Sequence, residues 1–452
     1  MKQYIPENLD LDGLLLDYPP VFNYHRDHFV HILHLLTSIP ARNKDLINED
    51  GWVPINAQTL QKRIRNYNHC LDYLVYYKVL ERDPQYIPGQ KSREYRFSAE
   101  YRTICKQVEI DKYTLTKNIT IHKDGQKFAE KKYPFLAKYF NDDLSIDYSA
   151  ASDFLYQQYE ENCIIGVKNP GLKYNFAIVS AAKIRDHEFY FHVDQTVQRL
   201  HTNLTGCKSE LRNFITYSGM NMVSIDLKNS QPWISTILLD PKFYEKNASS
   251  SLFFNIFNIS SSSSSKSSFL PIPYIMLVKN EVSLDSVAKE DAQLYREKVL
   301  DGTLYEYLAD EINERHGIMF TDRKEIKKII FTVLFSDNRF IGQQGAWAKK
   351  MFKVIFPSVY SVFAAIKRNN ASALPILLQR MEARLMLDHV SARISKENPD
   401  LPIFTIHDSI VCPVGMEQYV STVITEESLK CIGAVPKLSF EPWGKEKVRK
   451  VA

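Results

Sequence analysis

Two short stretches, 182 positions apart, each set a carboxylate at the end of an alternating or continuous apolar run. In Val223-Ser224-Ile225-Asp226 the apolar residues alternate with polar ones, which predicts a strand with one buried face and Asp226 on the other. Asn229 or Ser230 then caps a helix whose first turn accepts Pro232 and whose buried face is Trp233, Ile234, Ile237 and Leu238. In the run from Pro402 to Pro413, two apolar segments flank His407-Asp408-Ser409, the pattern of a tight hairpin with Asp408 at its apex. A third element reads as a helix capped by Thr321 or Asp322. On it Arg323, Lys327, Phe331 and Phe335 recur every four residues as one stripe, while Ile326, Ile329, Ile330 and Val333 face a core.

The N-terminal part has a different texture. Tyr24 to Leu36 is predicted helical, and His25, His28, His31 and His34 fan across half its circumference opposite Phe29, Ile32, Leu33 and Leu36, too widely to favour one metal ion. A helix from Asn56 to Ile64, a second from Asn68 to Tyr77, and strands at 79–83 and 93–97 around Pro88-Gly89 follow. This order resembles a winged helix, a shape that binds DNA or docks proteins, and Lys62, Arg63, Arg65, Lys91, Arg93 and Arg96 are available for phosphates. From about 100 to 190 the chain is helical in texture and aromatic. Val193 to Thr205 gathers hydrogen-bonding side chains just ahead of the Asp226 strand, and the serines of 249–251 and 260–268 form a flexible insertion.

Composition narrows the class. A chain of 452 residues with 44% hydrophobic residues has material for several cores. Six cysteines without a CxxC pair argue against a zinc site or disulfide framework and fit a reducing, cytoplasmic setting. No apolar run is long enough to span a bilayer and no signal-peptide core precedes the first domain, so no membrane partner is expected. With 57 Lys and Arg against 53 Asp and Glu, a nucleic-acid surface has to come from local clustering. Nothing here fixes an oligomeric state.

Two carboxylates on neighbouring strands can hold two divalent cations about 3.5–4 Å apart, the arrangement of phosphoryl-transfer enzymes. The order of motifs then resembles the family A DNA polymerases. Arg323-x-x-x-Lys327-x-x-x-Phe331-x-x-x-Phe335, followed by Phe340, looks like their fingers helix, with Phe where Tyr is usual. Ser224 to Trp233 looks like the first palm motif and Ile406-His407-Asp408-Ser409 like the second, although Ser409 stands where the DNA polymerases carry Glu. His-Asp-Ser is instead typical of the related single-subunit RNA polymerases of phages and mitochondria. Thr196 to Leu200 is similar to the primer-contacting Arg-Leu element, with Gln198 replacing its usual Gly.

That resemblance, over roughly 190–415, implies an α+β right-hand polymerase of palm, fingers and thumb-like helices behind a winged-helix-like N-terminal domain: 1–110, then a thumb-like 111–215, then palm and fingers over 216–452 interrupted near 249–268. It implies metal ligation by Asp226, Asp408 and the Leu227 carbonyl, with two Mg²⁺ ions or Mn²⁺ in their place. Arg323 and Lys327 would bind the triphosphate, Lys327 doubling as proton donor to pyrophosphate, and Phe331 and Phe335 would pack near sugar and base. Gln231 stands where the DNA polymerases place the Glu that excludes a ribose hydroxyl. Arg199, His407 and Gln379 would meet primer or template. The expected partners are a DNA primer-template and dNTPs, and the expected activity is two-metal extension of a primer 3'-hydroxyl, in DNA replication of a phage or mobile element. Two alternatives stand beside it: an RNA polymerase or primase of the same fold taking rNTPs, and a replication-initiation DNA-binding protein whose palm is idle.

Overall fold

The computed structural model of the 452-residue chain describes all residues except 44, 45, 49, 86–91, 122–123, 246–253, 261–274, 277, 280–281, 283–289, 321 and 447–452. The chain is mixed helix and strand and divides into two compact units. One comprises Met1–His192, His201–Met222 and Trp443–Ala452; the other comprises Val193–Leu200 and Val223–Pro442. Lys91 and most of the serine-rich stretch lie outside the described residues.

In the first unit the long helix Arg26–Arg42 is the centre of the core. Phe29, Val30, Ile32 and Leu33 are all fully buried on it, joined by Leu60, Leu71, Leu74, Leu80 and Phe97. Around it come the strand Val53–Pro54, helices Ala57–Arg63 and Tyr67–Tyr76, and the strands Leu80–Arg82 and Glu94–Phe97. These strands form one antiparallel sheet in which Glu94–Phe97 lies in the middle. Asn56 caps the first short helix through Thr59 N–H (2.9 Å), the role its sequence position suggests. The strand Lys2–Pro6 pairs with Cys105–Glu109, within the stretch expected to be helical; Cys105 and Val108, its half-buried residues, lie three apart, so it is the pairing and not a local alternation that sets this strand.

The imidazoles of the Arg26–Arg42 helix divide by depth. His31 bonds to the Gln3 side chain and His34 accepts from Tyr4 N–H, both buried, and burial holds both rings well below the usual imidazole range. His25 is the residue before the helix and His28 sits in its first turn.

In the second unit the strand Met220–Leu227 continues through Val223–Leu227 between the hairpin strand Ser409–Pro413 and the strand Leu438–Pro442, with Phe404–Ile406 outermost. Val223, Ile225 and Leu227 are buried, as the alternation requires, and the strand runs one residue beyond Asp226. Leu438–Pro442 registers Asp226 opposite Ser439 and Ser224 opposite Glu441, so these four share one face. Asn229 precedes the next helix in a left-handed backbone conformation (φ 56°) and makes no side-chain cap; Pro232, Trp233 and Ile234 bury themselves behind it.

The helix Arg323–Phe335 forms as its pattern predicts. Asp322 caps it through Lys324 N–H (2.8 Å), Ile326, Ile329, Ile330 and Val333 are buried, and the four stripe residues are exposed. Two buried lysines serve its C-terminal end: Lys367 Nζ donates to Val333 O (2.6 Å) in the last turn and to Ser336 O (3.0 Å) at the cap, and Lys349 Nζ to Asp337 O (2.7 Å) just beyond. Cations at a helix C-terminus match its dipole, which offsets part of the cost of burying them.

Candidate functional site

Asp226 and Asp408 are brought together, and by backbone. The His407-Asp408 turn closes its hairpin directly, Ile406 opposite Ser409, with His407 at φ 55°. A non-glycine residue in that region is strained, and it persists because the buried strands on both sides fix the turn. Leu227 N–H then donates to the Asp408 carbonyl (3.3 Å), tying the turn to the strand that carries Asp226. Both carboxylates are half-buried.

Their electrostatics follow. Burial first, and the charge of Asp408 second, push the Asp226 carboxyl up to about 7; Lys327 pulls it down, and Glu382 and Glu441 add to the rise. The helix Arg323–Phe335 therefore presents Lys327 toward the acids. Arg323, the other cation of the stripe, is engaged elsewhere: it pairs with Glu306 (3.1 Å) and lies over the Tyr305 ring. Phe331 and Phe335 keep exposed rings 5.6 Å apart, tilted by 32°.

A third acid, not singled out by motif, is Glu382, on the helix Ala373–Arg384, which packs against both the Ser230–Ser235 helix and the Arg323–Phe335 helix. It is 1% exposed, ion-paired with Arg199, and accepts from Ser230 Oγ (3.3 Å) and from Gln231 Nε2. Burial pushes Glu382 up to about 7, Arg199 opposes this and Asp408 adds to it. The sequence does carry a signal for it: Leu378, Glu382 and Leu385 share a helical face, and a carboxylate in register with leucines needs a partner.

The remaining expected residues separate. Arg199, expected at a primer, spends its guanidinium on Glu382. Gln231 is 7% exposed, its amide nitrogen held by Glu382 while Oε1 accepts no hydrogen bond among the described residues. His407 is half-buried at the hairpin tip and Gln379 is half-buried on the Glu382 helix. Ser409 is buried and its hydroxyl turns back to the Ile406 carbonyl (2.8 Å), closing the hairpin. Of the N-terminal cations, Lys62 and Arg65 are exposed, Arg63 lies 3.4 Å from His31, and Arg96 pairs with Glu81 (2.6 Å) and stacks on Trp52.

Among the described residues, two groups bring three metal-ligating atoms close together, His389–Glu427–Cys431 and His25–Asp27–Asp111, and neither contains Asp226 or Asp408. In the first, Glu427 is already paired with Arg393 (3.0 Å) and Lys430 (2.8 Å). Asp226 and Asp408 make no ion pair within 4 Å among the described residues, and hard oxygen donors whose ionised form lacks such a partner suit a hard divalent cation.

No described helix is long and apolar enough to cross a membrane. No family model matches the chain, and no curated protein matches it. Among solved structures, the POL domain of Pol1 from M. smegmatis, in complex with DNA primer-template and dNTP, superposes with a TM-score of 0.40 at 10% identity, covering 73% of this chain and 72% of that one.

Proposed function

We propose that this chain is a template-directed nucleotidyltransferase that extends a primer 3'-hydroxyl with nucleoside triphosphates, its reaction centred on Asp226 and Asp408. The observation that carries the reading is the pair itself: two carboxylates on backbone-linked elements, the Asp226 carboxyl raised to about 7 by burial first and by the charge of Asp408 second, with the cationic Lys327 turned toward it. Structural ion pairs neutralise such charge; here the excess is kept.

Asp226, Asp408 and the Leu227 carbonyl would hold divalent cations, Mg²⁺ or Mn²⁺, which when bound supply activation of the attacking hydroxyl and neutralisation of the leaving phosphate. Lys327 offers its ammonium to the triphosphate and a proton to the departing pyrophosphate, and the Phe331–Phe335 ring pair offers an exposed apolar face for a base. Arg323 reaches phosphate by leaving Glu306, an exchange that costs little because both are exposed. Arg199 acts through Glu382, holding it and with it the orientation of Gln231. His407 takes the primer side of the hairpin, and Gln379 a groove contact. The N-terminal unit, whose helix, strand, helix, helix, hairpin order fits a winged helix, brings the chain to DNA with Lys62 and Arg65 as its exposed cations. The layout is then that of a compact right-hand polymerase.

Use of rNTPs, as in an RNA polymerase or primase, is favoured by one observation. Gln231 Oε1 is enclosed and accepts no hydrogen bond among the described residues; turned toward a bound sugar it could only accept, and a ribose 2'-hydroxyl is a donor that a deoxyribose lacks. Primer extension by the purified chain with Mg²⁺ and separate dNTP and rNTP pools distinguishes the two. Loss of extension in both Asp226→Asn and Asp408→Asn, with DNA binding kept, is expected. Absence of incorporation from either pool by the unaltered chain would sink the reading and leave a DNA-binding protein with an idle palm.

A further inference from the structure

The first unit holds a cavity of about 630 Å³ whose side-chain chemistry is the reverse of the Asp226 site. Its lining includes His25, His28, His69, Arg65 and Lys112, interspersed with asparagine carboxamides and the Tyr24 ring. Two cations and three imidazoles thus converge on one concavity of the size that encloses a small ligand. The backbone adds to the same sign. His25 and Asn66 are the cap residues of helices of 17 and 10 residues, and Asn66 makes no side-chain cap.

Two carboxylates lie nearby: Asp111 is exposed and Asp27 faces His25 Nδ1 (3.9 Å), and neither pairs with Arg65 or Lys112 among the described residues. Asp27 is buried, and its Oδ2 accepts the N–H groups of Asp111 and Lys112 (2.9 Å each), while Arg26 lies 3.6 Å from its other oxygen. Arg65 and Lys112 make no ion pair among the described residues. His28 Nδ1 is enclosed with no hydrogen-bond partner, and burial, His25 and Lys112 together hold that ring below its ordinary range. A metal ion on His25, Asp27 and Asp111 is the competing reading, and the donors argue against it. His25 Nδ1 already accepts from Asp27 N–H (3.3 Å), Asp27 Oδ2 already takes two N–H groups, and two cations line the same space.

We propose that this cavity is a phosphate-binding site for a nucleotide, either free or at the 5' end of a strand. A concave site suits a terminal phosphate, whose charge is concentrated and whose oxygens can be surrounded by donors. The assignment stands apart from the transfer reading, since it uses no residue of the Asp226 site.

The test compares one single-stranded oligonucleotide carrying a 5'-phosphate with the same oligonucleotide ending in a 5'-hydroxyl, by fluorescence anisotropy on the unaltered chain. The phosphorylated form should bind about tenfold or more tighter, which is about 1.4 kcal/mol or more. Competition by AMP separates the two sources: displacement at concentrations near its own dissociation constant assigns the free nucleotide, and preference for the phosphorylated strand without displacement assigns the strand end. Arg65→Gln and Lys112→Gln should abolish the phosphate preference with the melting temperature unchanged. Equal binding of the two oligonucleotides together with no binding of AMP overturns the proposal, as does a preference that survives both substitutions. Asp226→Asn should leave the preference intact, so its loss there would also overturn the assignment.

Discussion

The Asp226 site and the histidine-lined cavity are opposite solutions to the same physical condition. In one, Asp226, Asp408, Glu382 and Glu441 act on each other with Lys327 and Arg199 as the opposing charges. In the other, Arg65 and Lys112 share a concavity with three imidazoles, with the buried, already bonded Asp27 and the exposed Asp111 nearby. Other charges are neutralised locally, such as Arg393 with Glu397 and Glu427 or Arg96 with Glu81. Like charge gathered without its counter-charge opposes folding, so regions that keep it are candidates for a ligand of opposite sign. The contrast predicts cations for the first region and phosphate for the second.

The largest effect expected from breaking the contrast is on the acid side. Asp226→Asn should reduce primer extension on the order of 10³-fold, as loss of a principal electrostatic group does. In metal-free buffer at pH 8 the same variant should melt about 1–3 °C higher than the unaltered chain, because it removes a half-buried charge facing Asp408. Calorimetry checks this, and a lower melting temperature would mean that Asp226 has a neutralising partner and a structural role.

The two regions also differ in how far the sequence exposes them. Asp226 and Asp408 each sit inside a local pattern, an alternating strand or a hairpin tip, and tertiary structure had only to join two readable pieces. The Arg323–Phe335 stripe was readable for the same reason, since helical periodicity is local. The cavity draws on 23–28, 65–69 and 112, three segments with no shared period, so His25 and His28 read in sequence only as part of a fanned row. Arg199 shows another limit. Its place ahead of the Asp226 strand suggested a primer contact, whereas its side chain is fixed by Glu382, a partner 183 positions away that no local pattern names. The strand Leu438–Pro442 escaped for a similar reason: Leu438, Phe440 and Pro442 are only half-buried or exposed, so its pairing with the Asp226 strand leaves little hydrophobic signal.

Intermediate in size is the Arg199–Glu382 pair, which sharpens the idea that only part of the acid charge is left for ligands. Glu382 is buried and Arg199 is its counter-charge, so Arg199→Leu should destabilise the fold by about 3 kcal/mol by stranding a carboxylate. Adding Glu382→Leu should recover most of that loss, since an apolar pair of similar volume replaces a desolvated ionic one. Urea denaturation of both single variants and the double variant measures the coupling. Additive losses would show that Arg199 holds something other than Glu382.

The smallest effect is a slope with pH, and its sign separates the two regions. Asp226 and Glu382 are both raised to about 7 in the folded chain, whereas unfolded carboxyls release their protons near 4. Between those values the folded state holds protons that the unfolded state has lost. The acid site's contribution to stability is therefore greatest below about pH 4, declines as pH rises, and is lost above about 7. Melting temperature in metal-free buffer should fall across this window in the unaltered chain and fall less in Asp226→Asn. Saturating Mg²⁺ should flatten the slope, because a bound cation favours the ionised carboxylates and is bound better as they ionise. A slope unchanged by both Mg²⁺ and Asp226→Asn would trace the effect to groups outside the acid site and remove the electrostatic ground for a cation there.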